Sequence, residues 1–236
     1  MSAAGDAAAK RRTAVLISGR GSNMVALLAA AAADSAYPAE MALVLSNRAD
    51  APGLGLAAAA GVPTAVVESR AFRGDRGAFE RAVEAELERR GVELVALAGF
   101  MRVLTPGFVQ RWEGRLVNIH PSLLPAFPGL DTHARALAAG VRLHGCTVHL
   151  VSAGVDEGPI VAQAAVPVLE GDTAGTLAAR VLAQEHRLYS AALAWLAAGE
   201  VRLENGRARV SGAVGEPGAA LANPLPPVPP VNKPPT

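Results

Sequence analysis

Asn118 and His120 carry side chains suited to acyl and proton transfer, two positions apart in Val117-Asn118-Ile119-His120. On a strand that spacing puts both on one face: an amide that can donate to a developing oxyanion beside an imidazole that can move a proton near neutral pH. The plainer alternative is a histidine hydrogen-bonded to the loop that follows, Pro121-Ser122-Leu123-Leu124-Pro125. Asp156, in Gly154-Val155-Asp156-Glu157-Gly158-Pro159, reads equally as turn chemistry or as a carboxylate that holds an imidazole in place and stabilises its cationic form. Spacing alone does not bring it to His120.

Ser18-Gly19-Arg20-Gly21-Ser22-Asn23 ends one apolar run and opens a helical pattern. Glycines permit close backbone approach, and free amides at a helix start attract a phosphate or another anion. Lysine is absent and Met24 stands where the third glycine of a dinucleotide fingerprint belongs, so neither a Walker loop nor dinucleotide binding is expected. The alternative is a tight turn with Ser22 or Asn23 capping the helix. Glu185 falls in a stripe with Leu177, Val181, Leu188 and Ala192 and interrupts an inward helix face. A buried carboxylate needs a partner, either an arginine or a ligand.

His133 stands at an expected helix start, His144 ahead of a strand and His149 on it. These offer less, because no histidine pair has the HExxH spacing or the acidic neighbours of a metal site. No metal is expected. Cys146 is the single cysteine, so no internal disulfide forms, and nothing marks a base or basic surroundings that would make it a nucleophile.

The elements that must position these groups follow from short apolar runs alternating with longer amphipathic ones. Residues 13–17, 41–45, 64–67, 94–98 and 116–119 read as strands covered on both faces. Residues 23–33, 53–60 and 78–90 read as helices between them, the last with Phe79, Val83 and Leu87 on one face. Strands at 146–152 and 160–168 are expected at the other edge of the sheet. A long helix should then run from 172 or 173 to about 198, stopped by Gly199. This order predicts an α/β, doubly wound, mostly parallel mixed sheet with helices on both faces. Ligands should bind at the carboxyl ends of its parallel strands.

The chain has 236 residues, 51% hydrophobic and 18% charged, with 22 basic against 21 acidic side chains. It can bury a sizeable core, and its net charge of +1 gives no footprint for nucleic acid. No run is long and apolar enough for a membrane helix, and the order of charges in residues 1–12 is the reverse of a secretory signal, so a cytoplasmic protein is expected. Residues 1–12 read as a flexible lead-in, 13–210 as the folded domain and 211–236 as a disordered proline-rich tail. Eight of the 17 prolines lie from Pro217 to Pro235; a proline-rich peptide ligand is the functional alternative there.

These pieces, taken in order, resemble the folate-dependent formyltransferase family. The likeness covers residues 13–210 and rests on Val15-Leu16-Ile17-Ser18-Gly19-Arg20-Gly21-Ser22-Asn23, Ser46-Asn47-Arg48-Ala49-Asp50 and Leu97-Ala98-Gly99-Phe100-Met101-Arg102-Val103-Leu104. It continues in Asn118-Ile119-His120-Pro121-Ser122-Leu123-Leu124-Pro125, Pro128-Gly129-Leu130, Asp156-Glu157-Gly158-Pro159-Ile160 and Gln184-Glu185-His186. The resemblance implies a Rossmann-like enzyme that passes a formyl group from 10-formyltetrahydrofolate to the amine of glycinamide ribonucleotide in purine synthesis. It further implies small-molecule substrates and a monomer or homodimer. By the same likeness Asn118, His120 and Asp156 form the catalytic trio, with Asn118 also on the folate side. Gly21, Ser22 and Asn23 hold the phosphate, and Glu185 touches the ribosyl-glycinamide portion. Met101, Arg102, Val103 and Leu104 line the pterin through backbone groups, and Arg76 meets the folate's charged end. Arg73 rivals Arg76, because Phe72-Arg73-Gly74-Asp75-Arg76 is one residue longer than the family pattern.

Within the family, a tRNA formyltransferase resembles a longer protein with a basic C-terminal domain. A formyltetrahydrofolate hydrolase carries an extra domain ahead of the first strand, where about 12 residues stand here. A non-enzymatic nucleotide-binding module on the same fold is the third alternative.

Overall fold

The computed structural model describes residues 9–211. The chain runs β1 (Arg11–Ile17), α1 (Ser22–Ala33), β2 (Ala39–Ser46), α2 (Pro52–Ala59), β3 (Thr64–Val66), a 3-10 turn (Ser69–Phe72), α3 (Arg76–Arg89) and β4 (Leu94–Leu97). It continues through α4 (Pro106–Arg111), β5 (Leu116–His120), α5 (Thr132–Ala138), β6 (Leu143–Leu150), β7 (Ile160–Pro167), α6 (Ala174–Ala197), β8 (Val201–Glu204) and β9 (Arg207–Val210). Seven strands make one sheet in the order β3-β2-β1-β4-β5-β6-β7, parallel from β1 to β5 and antiparallel through β6 and β7. This is the mixed doubly wound sheet expected, with β7 at its edge.

Both faces of the central strands are covered, which explains their unbroken apolar runs. Val15 and Ile17 point into a core with Met24 and Leu27 of α1 and Leu177, Val181 and Tyr189 of α6. Ala14 and Leu16 point the other way, onto Phe79, Val83 and Leu87 of α3 and Phe108 of α4. Each fully buried leucine contributes roughly 1.5–3 kcal/mol. α6 starts with a capping box at Thr173 and is followed by Gly199 at φ 74, as its sequence signals anticipated.

Several boundaries differ from expectation. β1 starts at Arg11 rather than Thr13, because Arg11 and Arg12 pair with Glu93 and Glu40 while continuing the ladder. β6 begins at Leu143, so His144 lies within the strand and not ahead of it. α4 and α5 are six and seven residues long, too short to display a helical period. The β8–β9 hairpin was also unforeseen, although Asn205-Gly206, both at positive φ, is a strong turn signal. Residues 1–8 and 212–236, which hold most of the expected lead-in and nearly all of the proline-rich tail, lie outside the described residues. Among the described residues no helix is long and apolar enough to cross a membrane.

The strand order reverses at β1, whose neighbours are β2 and β4. Crossovers leave this point in opposite directions, opening a crevice at the carboxyl ends of the strands. The loop after β1, the segment after β4 and the end of β5 therefore share one edge.

Candidate active site

Asn118 and His120 close β5, on the same face as expected, and pair in register with His149 and Thr147 of β6. His120 is 5% exposed. Its Nδ1 lies 3.3 Å from Asp156 Oδ2, and its Nε2 lies 3.0 Å from the carbonyl oxygen of Phe127. A carbonyl only accepts, so Nε2 is the donor there. Both ring nitrogens thus face acceptors, and the two readings of His120 hold together, since Phe127 belongs to the loop that follows.

Asp156 reaches the histidine from the β6–β7 loop in a left-handed conformation, φ 56. Its Oδ2 also accepts the Gly129 N–H at 2.9 Å. Gly158, nearby, admits no side chain, because a Cβ would sit 1.7 Å from the Leu150 carbonyl oxygen. That close approach lets the loop fold back over the strand end.

His149, which the sequence reading set aside, belongs to the same cluster. Its Nδ1 donates to the Leu150 carbonyl at 3.0 Å, leaving Nε2 to accept from Asn118 Nδ2 at 3.2 Å. Asp156 Oδ1 is 3.8 Å from the same Nε2. Burial pushes the His149 pKa down, partly opposed by the Leu150 bond and by Asp156. The ring is therefore neutral near neutral pH and fixes the Asn118 amide by one hydrogen, leaving the other free.

At the start of α1 the cap is Gly21, left-handed at φ 72, and not Ser22 or Asn23; no side chain caps the helix. Glycine is favoured there because a φ of 72 strains any residue with a side chain. Asn23 turns instead to α6, its Nδ2 donating to Glu185 Oε2 at 2.8 Å, with Asn23 Oδ1 buried and unpaired. Glu185, 6% exposed, thus finds an amide rather than an arginine. Burial pushes its carboxyl pKa up, with the Asn23 bond opposing. Cys146 is buried, and burial together with the Glu185 charge pushes its thiol up to about 12. A thiol so raised stays protonated near neutral pH.

Residues 101–104 follow β4 in irregular backbone, with Met101 67% and Val103 58% exposed at the crevice. The Arg102 guanidinium lies 5.7 Å from the centre of the Phe79 ring. Arg76 opens α3 and Arg73, at φ 48, closes the preceding 3-10 turn; both are exposed, and among the described residues neither has an ion-pair partner. The structure thus joins Asn118, His120, Asp156 and His149 in one cluster and Asn23 with Glu185 in another. Among the described residues no group of three or more histidine, cysteine or acidic side chains is placed to hold a metal ion.

Residues 11–193 match the family model described as Formyl transferase. The chain belongs to the formyl transferase family. Phosphoribosylglycinamide formyltransferase of Escherichia coli (strain K12) is 43% identical over 198 residues, covering 84% of this chain and 92% of that protein. Glycinamide ribonucleotide transformylase 1 from Symbiobacterium toebii, a crystal structure, has a TM-score of 0.82 at 48% identity, with 86% of this chain and 94% of that one covered. The trifunctional purine biosynthetic protein adenosine-3 of Bos taurus is 48% identical over 199 residues, 84% of this chain and 20% of that protein. This formyl transferase therefore spans about a fifth of the length of that larger relative.

Proposed function

We propose that this formyl transferase is a phosphoribosylglycinamide formyltransferase. It moves the formyl group of 10-formyltetrahydrofolate to the amine of 5-phosphoribosylglycinamide, giving formylglycinamide ribonucleotide and tetrahydrofolate in cytoplasmic de novo purine (IMP) biosynthesis. One observation carries the reading: the loop carboxylate of Asp156 stands 3.3 Å from the His120 ring, beside Asn118, at the mouth of the crevice.

The amides of Gly21, Ser22 and Asn23, uncapped at the positive end of α1, bind the substrate phosphate. Glu185 and the unpaired Asn23 Oδ1 take the ribosyl-glycinamide portion. Backbone groups of Met101, Arg102, Val103 and Leu104 line the pterin, and Arg76 meets the folate's carboxylates. Holding two substrates side by side supplies much of the acceleration by proximity.

The neutral glycinamide amine attacks the formyl carbon, and negative charge gathers on the formyl oxygen. Asn118 donates to that oxygen the Nδ2 hydrogen that His149 leaves free. His120 donates its Nε2–H, the formyl oxygen replacing the Phe127 carbonyl as acceptor. Asp156 holds the opposite side of the ring. The amine's proton passes, through water, to the folate nitrogen as its bond to the formyl carbon breaks. No covalent enzyme intermediate forms.

The test is to incubate the purified chain with 10-formyltetrahydrofolate and 5-phosphoribosylglycinamide, beside water-only and tRNA controls. Formylglycinamide ribonucleotide is the expected product. Folate release with no amine present would make the protein a hydrolase, and binding without turnover would make it a non-enzymatic module.

A further inference from the structure

Residues 101–104 join β4 to α4 without belonging to a strand or helix, yet a segment that recognises a ring through its own backbone must keep those groups in place. Two buried side chains hold its ends. At the first end the Met101 N–H donates to Ser18 Oγ at 2.8 Å, the Ser18 hydroxyl donates to Asn47 Oδ1 at 2.6 Å, and Asn47 Nδ2 donates to Ser69 Oγ at 3.3 Å. The direction is fixed, because an amide hydrogen leaves the serine oxygen as acceptor and sends its single proton onward. Ser18 and Asn47 are 8% and 5% exposed. At the second end Glu80, 5% exposed on the inward face of α3, accepts the Thr105 N–H at 2.6 Å and the Thr105 hydroxyl. The same hydroxyl oxygen accepts the Phe108 N–H as the cap of α4.

These bonds lie outside the regular elements. The β1–β4 ladder ends at Leu16 and Leu97, before Ser18 and Met101. The loop that follows Ser18 has an anchor of its own: the Gly53 N–H donates to the Gly19 carbonyl at 3.1 Å, and a Cβ on Gly53 would sit 2.6 Å from Ile17 Cδ1. The Ser18 N–H still holds the Gly99 carbonyl at 3.2 Å, so loss of the Ser18 hydroxyl frees the Met101 end of the segment and leaves the phosphate loop fixed.

We propose that Ser18 and Glu80 are positioning residues for the folate, clamping the two ends of residues 101–104 so that their free backbone groups meet the pterin. This rests on the formyl-transfer reading, which supplies the segment's ligand. Ser18→Ala leaves the Met101 N–H and Asn47 Oδ1 without partners, and Glu80→Gln leaves Thr105 one acceptor short.

The experiment measures equilibrium binding of tetrahydrofolate and, separately, of 5-phosphoribosylglycinamide to the wild-type chain and both variants, with thermal unfolding as a check on folding. In each variant the Kd for tetrahydrofolate should rise about tenfold while that for the ribonucleotide stays within about twofold. An unchanged folate Kd in either folded variant, or an equal rise for both ligands, overturns the clamp. The two substitutions sit at opposite ends, so a variant that fails to fold leaves the other to decide. A wild-type chain that binds tetrahydrofolate but transfers no formyl group overturns the reaction alone, and the clamp is still judged by binding. A wild-type chain that binds no tetrahydrofolate overturns both.

Discussion

Asp156 Oδ2 lies 3.3 Å from His120 Nδ1 and 2.9 Å from the Gly129 amide nitrogen, so one carboxylate oxygen ties the β6–β7 loop both to the histidine and to the loop that follows it. Asp156→Asn keeps the size of the group but removes its charge. Turnover should fall on the order of 10²–10⁴-fold with the melting temperature little changed. Steady-state rates beside thermal unfolding check this, and near-normal turnover would remove Asp156 from the chemistry.

Asn118 and His149 form a pair in which the ring orients the amide. Asn118→Ala should lower kcat on the order of 10²-fold, the cost of one oxyanion donor. His149→Phe, which removes the acceptor at 3.2 Å, should cost about tenfold in kcat with KM for either substrate little altered. A large rise in KM with kcat intact would mean that His149 serves binding instead.

His144 sets an acid limit on stability. It is 1% exposed, and burial, reinforced by the charge of His133 and only partly opposed by the Pro121 backbone, holds its pKa down to about 4 from an ordinary 6.5. The unfolded chain therefore takes up the proton first on acidification. The contribution is complete above about 6.5 and is lost as the pH falls toward 4. Burial lowers His133, His149 and His186 in the same sense. His144→Phe, beside the Phe127 and His133 rings, should flatten the decline of melting temperature over that range. An unaltered slope would assign the acid sensitivity elsewhere.

Tyr189 is fully buried on α6, and its hydroxyl is 2.9 Å from the Leu97 carbonyl oxygen and 3.1 Å from that of Val117. It links the end of β4 to the start of β5, the strands that lead into the folate segment and the trio. Tyr189→Phe should cost about 1–3 kcal/mol in denaturant unfolding, and an unchanged midpoint would show that the shared bond contributes nothing.

The parts of the site legible in the sequence are those set by local periodicity. Asn118 and His120 share a face because a strand alternates, and Glu185 is buried because its helical stripe is otherwise apolar. The meeting of Asp156 with His120 depends on a loop folding back over Gly158, which no local pattern records. His149 escaped notice because its contact with Asn118 follows from antiparallel register between β5 and β6, visible only once the strands are paired. Ser22 and Asn23 are good capping types, yet Gly21 takes the cap, because Asn23 has a stronger claim in the buried carboxylate of Glu185. α4 and α5 are too short for a period to show, whereas Asn205-Gly206 is a local turn signal that the β8–β9 hairpin fulfils.

The most direct test compares formation of formylglycinamide ribonucleotide from 10-formyltetrahydrofolate and 5-phosphoribosylglycinamide by the wild-type chain and by His120→Ala under saturating substrates. The account predicts product from the wild-type chain and a loss on the order of 10²–10⁴-fold in the folded variant. Near-normal product formation by His120→Ala, or none by the wild-type chain, would contradict it.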